Sequence, residues 1–180
     1  MTCIVGLEHK GKVYIGGDRC QSDLYMKTMM DRPKVFVKDD IAFGYTSSFR
    51  FGNLLQHSLK VPSKKYRKDT NEFVYVYLVE AIRKCLKKGG YAHVSNAVER
   101  GGNCLFGYKG KLYQMQDDFS VINNSYGYDA VGSGWFAAYG SFYSSGVLGV
   151  KDPKARVMLA LETAAALVPS VSGPFDIISV

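Results

Sequence analysis

The chain begins Met1-Thr2-Cys3-Ile4-Val5-Gly6, with a threonine directly behind the initiator methionine and at the head of an apolar run. Two roles are open to Thr2. It is an ordinary β-branched strand residue, or it becomes the first residue of the mature chain and acts as a nucleophile that carries its own base. A threonine hydroxyl attacks poorly unless a base takes its proton. A free α-amino group has an ordinary pKa of about 7.7–8.0, so part of it is neutral near pH 7. A nearby ammonium lowers that pKa further. Removal of Met1 ahead of a side chain as small as threonine is expected.

The other reactive groups offer less. Cys3, Cys20, Cys85 and Cys104 are scattered, with neither a Cys-x-x-Cys pair nor a Cys/His zinc spacing. They read as small buried hydrophobes in a reducing compartment. His9, His57 and His93 are equally dispersed, and nothing local pairs them with a serine or cysteine. No cofactor and no metal is expected. Much of the net charge of +7 sits in Lys60, Lys64, Lys65, Arg67 and Lys68, and in Arg83, Lys84, Lys87 and Lys88. Such clusters suit nucleic acid, but no recognised nucleic-acid motif accompanies them. The second cluster falls at the end of an expected helix, where cations complement the dipole. Nucleic acid is not the expected partner.

The elements that must position Thr2 follow from periodicity and turn residues. Residues 2–8 and 12–18 predict a hairpin turned at Lys10-Gly11, and 34–38 and 41–45 a second one turned at Asp39-Asp40. Ser47 or Ser48 caps a helix with Phe51, Leu54, Leu55 and Leu59 on one face. Thr70 or Asn71 starts another, which Gly89-Gly90 ends. Residues 91–102 read as a loop. Strands follow at 103–108, 111–116 and 128–132, then a helix over 132–146. Asp152-Pro153 opens a helix to about Val168, and Phe175–Val180 is a closing strand. Strands and helices are segregated, which predicts α+β, with helices covering two packed sheets. The 180 residues suit one domain, residues 1–180, without linker or repeat. No apolar run approaches the roughly 18 residues of a membrane span, and the start carries no signal-like pattern. The expected location is the cytoplasm.

This order, with several short stretches, resembles the β-type subunits of the proteasome and the peptidase subunit of the bacterial HslUV protease, which are N-terminal nucleophile hydrolases. The stretches are TCIVGL (2–7), YIGGDR (14–19), PKVFV (33–37), AVGSG (130–134) and SGPFDIISV (172–180). The resemblance implies a four-layer α-β-β-α sandwich and a threonine endopeptidase. By position it implies Thr2 as nucleophile, Lys34 as the ammonium that tunes its amine, and Asp18 as the carboxylate that holds Lys34. It implies Gly44 as the oxyanion donor, and Ser133 and Ser172 as the serines beside the amine. Gln21, Arg32, Phe36, Ala42 and Thr46 would line the pocket for the residue before the cut bond.

Two departures stand out. Pro169 occupies the position, three residues before Ser172, where proteasome subunits usually carry an aspartate. Ser47-Ser48-Phe49 stands where small residues, often glycine, are expected. The implied partners are a peptide or unfolded protein substrate, further copies of the chain in a homo-oligomeric ring, and an ATPase regulator. Two other readings share the fold: a scaffold or assembly subunit without turnover, and an amidohydrolase acting on a non-peptide amide.

Overall fold

The computed structural model describes residues 2–23 and 25–180. Its strands are β1 (Cys3–His9), β2 (Lys12–Asp18), β3 (Cys20–Ser22), β4 (Lys27–Met29), β5 (Val35–Lys38) and β6 (Ile41–Tyr45). Then come α1 (Phe49–Asn53), which runs on into a wider turn at Leu54–Ser58, and a second helical run from α2 (Thr70–Glu72) through Phe73–Leu78 to α3 (Val79–Lys88). Strands β7 (His93–Ser95), β8 (Val98–Arg100), β9 (Cys104–Tyr108), β10 (Lys111–Met115), β11 (Val121–Ile122) and β12 (Tyr128–Gly132) follow. The chain ends with α4 (Trp135–Val147), α5 (Pro153–Leu167) and β13 (Phe175–Ser179).

Two antiparallel sheets carry the architecture. One has the order β12-β1-β2-β13 and the other β11-β10-β9-β6-β5. Their turns are those the sequence marks. Lys10-Gly11 and Lys109-Gly110 both take positive φ at both positions, the geometry that matches strand twist in a two-residue hairpin loop. Three apolar clusters place the layers. Ile4, Val13 and Ile15 meet Val35, Ala42, Leu105 and Leu112 between the sheets. Cys3, Val5 and Leu7, on the opposite face of β1, pack on Phe142, Val157 and Leu161 of α4 and α5. Phe36, Phe43 and Phe106 face away from the first sheet, toward Phe51, Leu55, Phe73 and Leu78 of the other helices. Strand β1 is thus buried on both faces, which is why CIVGL is a continuous rather than an alternating apolar run.

Helix starts agree with the caps. Ser48 accepts from Arg50 N at 3.1 Å and Asp152 from Lys154 N at 3.1 Å. The second helix starts at Thr70, as expected, and is capped by Asp69, which accepts from Glu72 N at 2.9 Å. Two short hairpins are additions to the expected elements: β3–β4, and β7–β8 within the segment read as a loop. Their strands are three residues long, and β4 and β7 are fully exposed. They therefore show no apolar periodicity, and β7–β8 is turned by Asn96 and Ala97, both at positive φ.

Candidate functional site

The first sheet brings three expected site residues together. β1 pairs with β2 so that Ile4 lies opposite Gly17. That register sets the start of β1 against Asp18, whose Oδ1 accepts from Cys3 N at 2.8 Å. The chain then turns, and Cys20 N donates to Asp18 Oδ2 at 3.0 Å. Lys34 enters from the second sheet, where β5 and β6 hold it in place: its carbonyl accepts from Tyr45 N at 3.1 Å. Its ammonium reaches across to Thr2 Oγ1 at 2.9 Å, to Asp18 Oδ2 at 3.1 Å, and to the Cys20 carbonyl. Asp18 is 0% exposed, Lys34 1% and Thr2 7%.

This is a buried ion pair pressed against a threonine hydroxyl. Burial drives the Lys34 pKa down, and Asp18 opposes that shift with its charge and its hydrogen bond. Burial pushes the Asp18 carboxyl up, and Lys34 with the Cys3 and Cys20 N–H groups pulls it back. The full set of donors around Asp18 keeps the ionised pair in place despite its desolvation. Cys3, adjacent in sequence, is no competing nucleophile, because burial pushes its thiol up to about 12.

Gly132 closes the site from β12. It takes φ +93°, and a Cβ there would lie 2.2 Å from the Thr2 carbonyl oxygen. Only glycine lets this strand pass so close to Thr2. The next residue, Ser133, donates to that same carbonyl at 3.3 Å and shares a 2.9 Å hydrogen bond with Ser170 Oγ. Ser133 is not the helix cap, since α4 starts after Gly134 with no side-chain cap. Ser170, 7% exposed, is the second serine of this pair. The sequence assigned that place to Ser172, which lies two residues on and makes no hydrogen bond to Ser133. Both serines sit in the irregular segment between α5 and β13, where no periodicity fixes which one turns inward.

Thr2 opens into a cleft of about 480 Å³ lined with Tyr45, Thr46, Ser47, Ser48, Phe49 and Ser133. Thr46 thus lies on the cleft lining, and Gly44 does not. Tyr45 N donates to Lys34 O and Thr46 N to Asn103 O, so ladder alternation aims the Gly44 N–H at its β9 partner Leu105. Gly44 serves packing instead, for a Cβ there would be 2.5 Å from Ile4 Cγ2. Ser47 lies on the cleft lining, held at φ +70° with its Oγ accepting from Asn103 N at 3.0 Å, and its own N–H has no acceptor among the described residues. Phe36 and Ala42 also lie elsewhere. Phe36 stacks on Phe43 in the helix-facing core, and Ala42 sits between the sheets. Gln21 on β3 and Arg32 before Lys34 are exposed and outside the cleft lining. The expected loss of Met1 concerns a residue outside those described.

The basic clusters are partly neutralised within the chain. Arg67 pairs with Asp39 and Asp40, and Arg83 bridges Glu80 and Glu99 at 2.8 and 2.6 Å. Among the described residues no group of three or more His, Cys, Asp or Glu is arranged to hold a metal ion, and no helix is long and apolar enough to cross a membrane.

No protein-family model and no curated protein sequence matches the chain. Solved structures do. A BPH of Thiobacillus denitrificans superposes with a TM-score of 0.84 at 17% identity, over 99% of this chain and 97% of that one. The same protein in complex with epoxomicin gives a TM-score of 0.83 over the same shares. HslV from Trypanosoma brucei gives 0.71 at 15% identity, over 98% of each chain. The chain has the proteasome-type fold. At these identities the likeness fixes the arrangement of the backbone, and the chemistry rests on the side chains described above.

Proposed function

We propose that residues 1–180 form one domain, a four-layer α-β-β-α sandwich, that acts as the threonine-type endopeptidase subunit of a self-compartmentalising protease in the cytoplasm. The observation that carries this reading is the Lys34 ammonium 2.9 Å from Thr2 Oγ1 with Asp18 fixed behind it. Once Met1 is removed, the neutral Thr2 amine takes the hydroxyl proton as Oγ1 attacks the substrate carbonyl. Lys34 favours the neutral amine by its charge and stabilises the developing alkoxide. The negative charge that forms on the substrate oxygen is met by the Ser47 N–H, a preorganised donor in a partly water-excluded cleft. The amine proton passes to the leaving nitrogen, an ester forms at Oγ1, and water hydrolyses it with the same amine as base. Ser133 and Ser170 hold the Thr2 carbonyl and so the amine's orientation.

The likeness to HslV and the apolar residues the helices leave uncovered support assembly of several copies into a ring. Phe136, Tyr143, Val147 and Leu148 of α4 and its end are exposed, with Leu167 of α5, and exposed apolar side chains on one pair of helices suit an interface. A native mass of a single multiple of the 19.9 kDa chain tests it. A regulatory ATPase would reveal itself if folded substrates were degraded only with ATP and a second component. The scaffold reading keeps one observation in its favour: no carboxylate hydrogen-bonds to Ser133 or Ser170 among the described residues.

The decisive experiment is intact mass after incubation with epoxomicin, a peptide epoxyketone that needs a hydroxyl and a free amine on one residue to form its ring adduct. One adduct on Thr2 of a chain lacking Met1 is the expected result. A chain that has lost Met1, hydrolyses no peptide and takes no adduct would sink the peptidase reading in favour of the scaffold.

A further inference from the structure

A second cavity of about 470 Å³, whose lining reaches Gly132, the residue before Ser133 of the first cleft, runs along the outer edge of β12 between the two sheets. Its lining includes Asp129, Gln114, Asn124, Trp135 and Tyr139. Asp129 faces the gap between the sheets, because its neighbours Tyr128 and Ala130 face α4 and α5. It is 6% exposed. Its Oδ1 accepts from Ala130 N at 2.8 Å, while Oδ2 has no hydrogen-bond or ionic partner among the described residues. The other carboxylate of the lining, Asp117, is already held by Arg100 at 2.9 and 3.0 Å. The Gln114 side-chain amide is likewise without a partner among the described residues, and the rings of Trp135 and Tyr139 stand 6.4 Å apart, nearly perpendicular.

The position relative to Thr2 is fixed by strand order. In the first sheet Asp18 lies on β2, on one side of β1, and the cavity lies along β12 on the other. In the second sheet Lys34 leads into β5 at one edge, and the cavity meets β10 and β11 at the opposite edge. Gln21 and Arg32 belong to the Lys34 side. A peptide crossing Thr2 with its residues before the cut on that side delivers those after the cut to the cavity.

We infer that this cavity binds the cationic side chain of an arginine or lysine on the leaving-group side of the substrate's cut bond, with Asp129 as counter-ion. The donor set fits that class. A guanidinium or ammonium would satisfy Asp129 Oδ2 and the Gln114 carbonyl by charge-assisted hydrogen bonds, and Trp135 and Tyr139 offer ring faces to a cation. A metal ion is a poor fit, since only one unpaired carboxylate is present. An anion would face that carboxylate directly. Burial also pushes the Asp129 carboxyl above its usual range, with only the Ala130 N–H pulling it back, a cost that a bound cation removes.

The placement after the cut bond rests on Thr2 being the nucleophile; the cation site itself does not. The test separates the two. Trp135 is the single tryptophan of the chain, so its emission reports on the cavity. Acetylated and amidated Ala-Arg-Ala and Ala-Ala-Ala are titrated into the purified protein and its Asp129→Asn variant, with circular dichroism to verify folding. The arginine peptide should bind roughly tenfold or more tightly than the alanine one, the scale of a hydrogen bond to a charged group, and the variant should lose that difference. Equal binding of the two peptides, or an arginine preference that survives in Asp129→Asn, overturns the cation site whatever Thr2 does. In parallel, fragments of an unfolded protein are mapped by mass spectrometry. Arginine and lysine should be enriched within the first three residues after the cut. Enrichment only before it overturns the placement.

Discussion

The molecule buries two aspartates on the same sheet, Asp18 on an interior strand and Asp129 on an edge strand, and treats them in opposite ways. Asp18 meets an ammonium and two backbone N–H groups, so both oxygens are engaged. Asp129 receives one N–H from its own neighbour and no cation among the described residues. Each loses water, and burial raises each carboxyl. At Asp18 an ammonium and two N–H groups oppose that shift; at Asp129 only one N–H does. The first carboxylate is therefore part of a fixed constellation, and the second is a group left open toward a cavity. A buried charge that is fully satisfied positions its neighbours; one that is half satisfied is poised for a ligand.

The strongest way to break this comparison is at the first site. Thr2→Ala should reduce peptide hydrolysis to background and abolish the epoxomicin adduct while thermal unfolding stays close to wild type. Lys34→Ala should lower the hydrolysis rate by roughly 10²–10⁴-fold, the range of a lost acid–base group, and destabilise the fold by about 3–5 kcal/mol, because it strands Asp18 without its partner. Denaturant titration beside the rate assay reads both losses, and a stability close to wild type would show that the pair is not held as described. Gly132→Ala comes next. Its Cβ would clash with the Thr2 carbonyl at a positive φ, so activity should fall even in preparations that remain folded.

The pH profile sharpens the contrast between the two titrating groups of the first site. The rate should rise as the Thr2 amine loses its proton, and fall again when Lys34 loses its own. Since burial lowers the Lys34 pKa, the alkaline limb should appear below the pH at which an ordinary lysine titrates. A rate that stays flat to that pH would count against Lys34 as the tuning charge. Ser170→Ala should slow hydrolysis more than Ser172→Ala, because Ser170 is the one bonded to Ser133; the reverse order would restore the assignment made from sequence.

The smallest expected effect is at Asp129. Its folded pKa is raised, so the folded state holds a proton that the unfolded chain releases. Its contribution to stability is full below the ordinary carboxyl pKa and is lost as pH rises through the folded value. Asp129→Asn should then raise the thermal midpoint near neutral pH. The gain should vanish in acid.

Much of the site was legible because it lies close to strand starts and ends. Thr2, Asp18 and Lys34 are tied to strong apolar runs and to marked hairpins, so an error of one residue would be visible. Ser133 follows a strand with a Gly-Ser-Gly turn, and it too was found. The misses share a cause. Ser170 and Ser172 sit in a segment with no period. Gly44 and Ser47 differ only in which way a backbone N–H points, and alternation along the ladder decides that. Phe36 and Ala42 are apolar strand residues whose face depends on which sheet surface meets the helices. Asp129 lies in the strand expected at 128–132 and the sequence does not single it out, since its burial arises only when β12 is set against β10 and β11.

By itself the sequence determined the longer strands, most helix starts, the turn glycines and the acid, base and hydroxyl groups available to chemistry, because those depend on local periodicity and on residue type. It could not state distances. The tertiary structure decided that Lys34, from one sheet, reaches Thr2 and Asp18 on the other, and that Gly44 is taken up in the strand ladder instead of the cleft lining. It also decided that one aspartate is sealed with a partner while another is left facing a cavity. Each of these is set by the packing of two sheets face to face, a long-range fact that no short stretch of residues encodes.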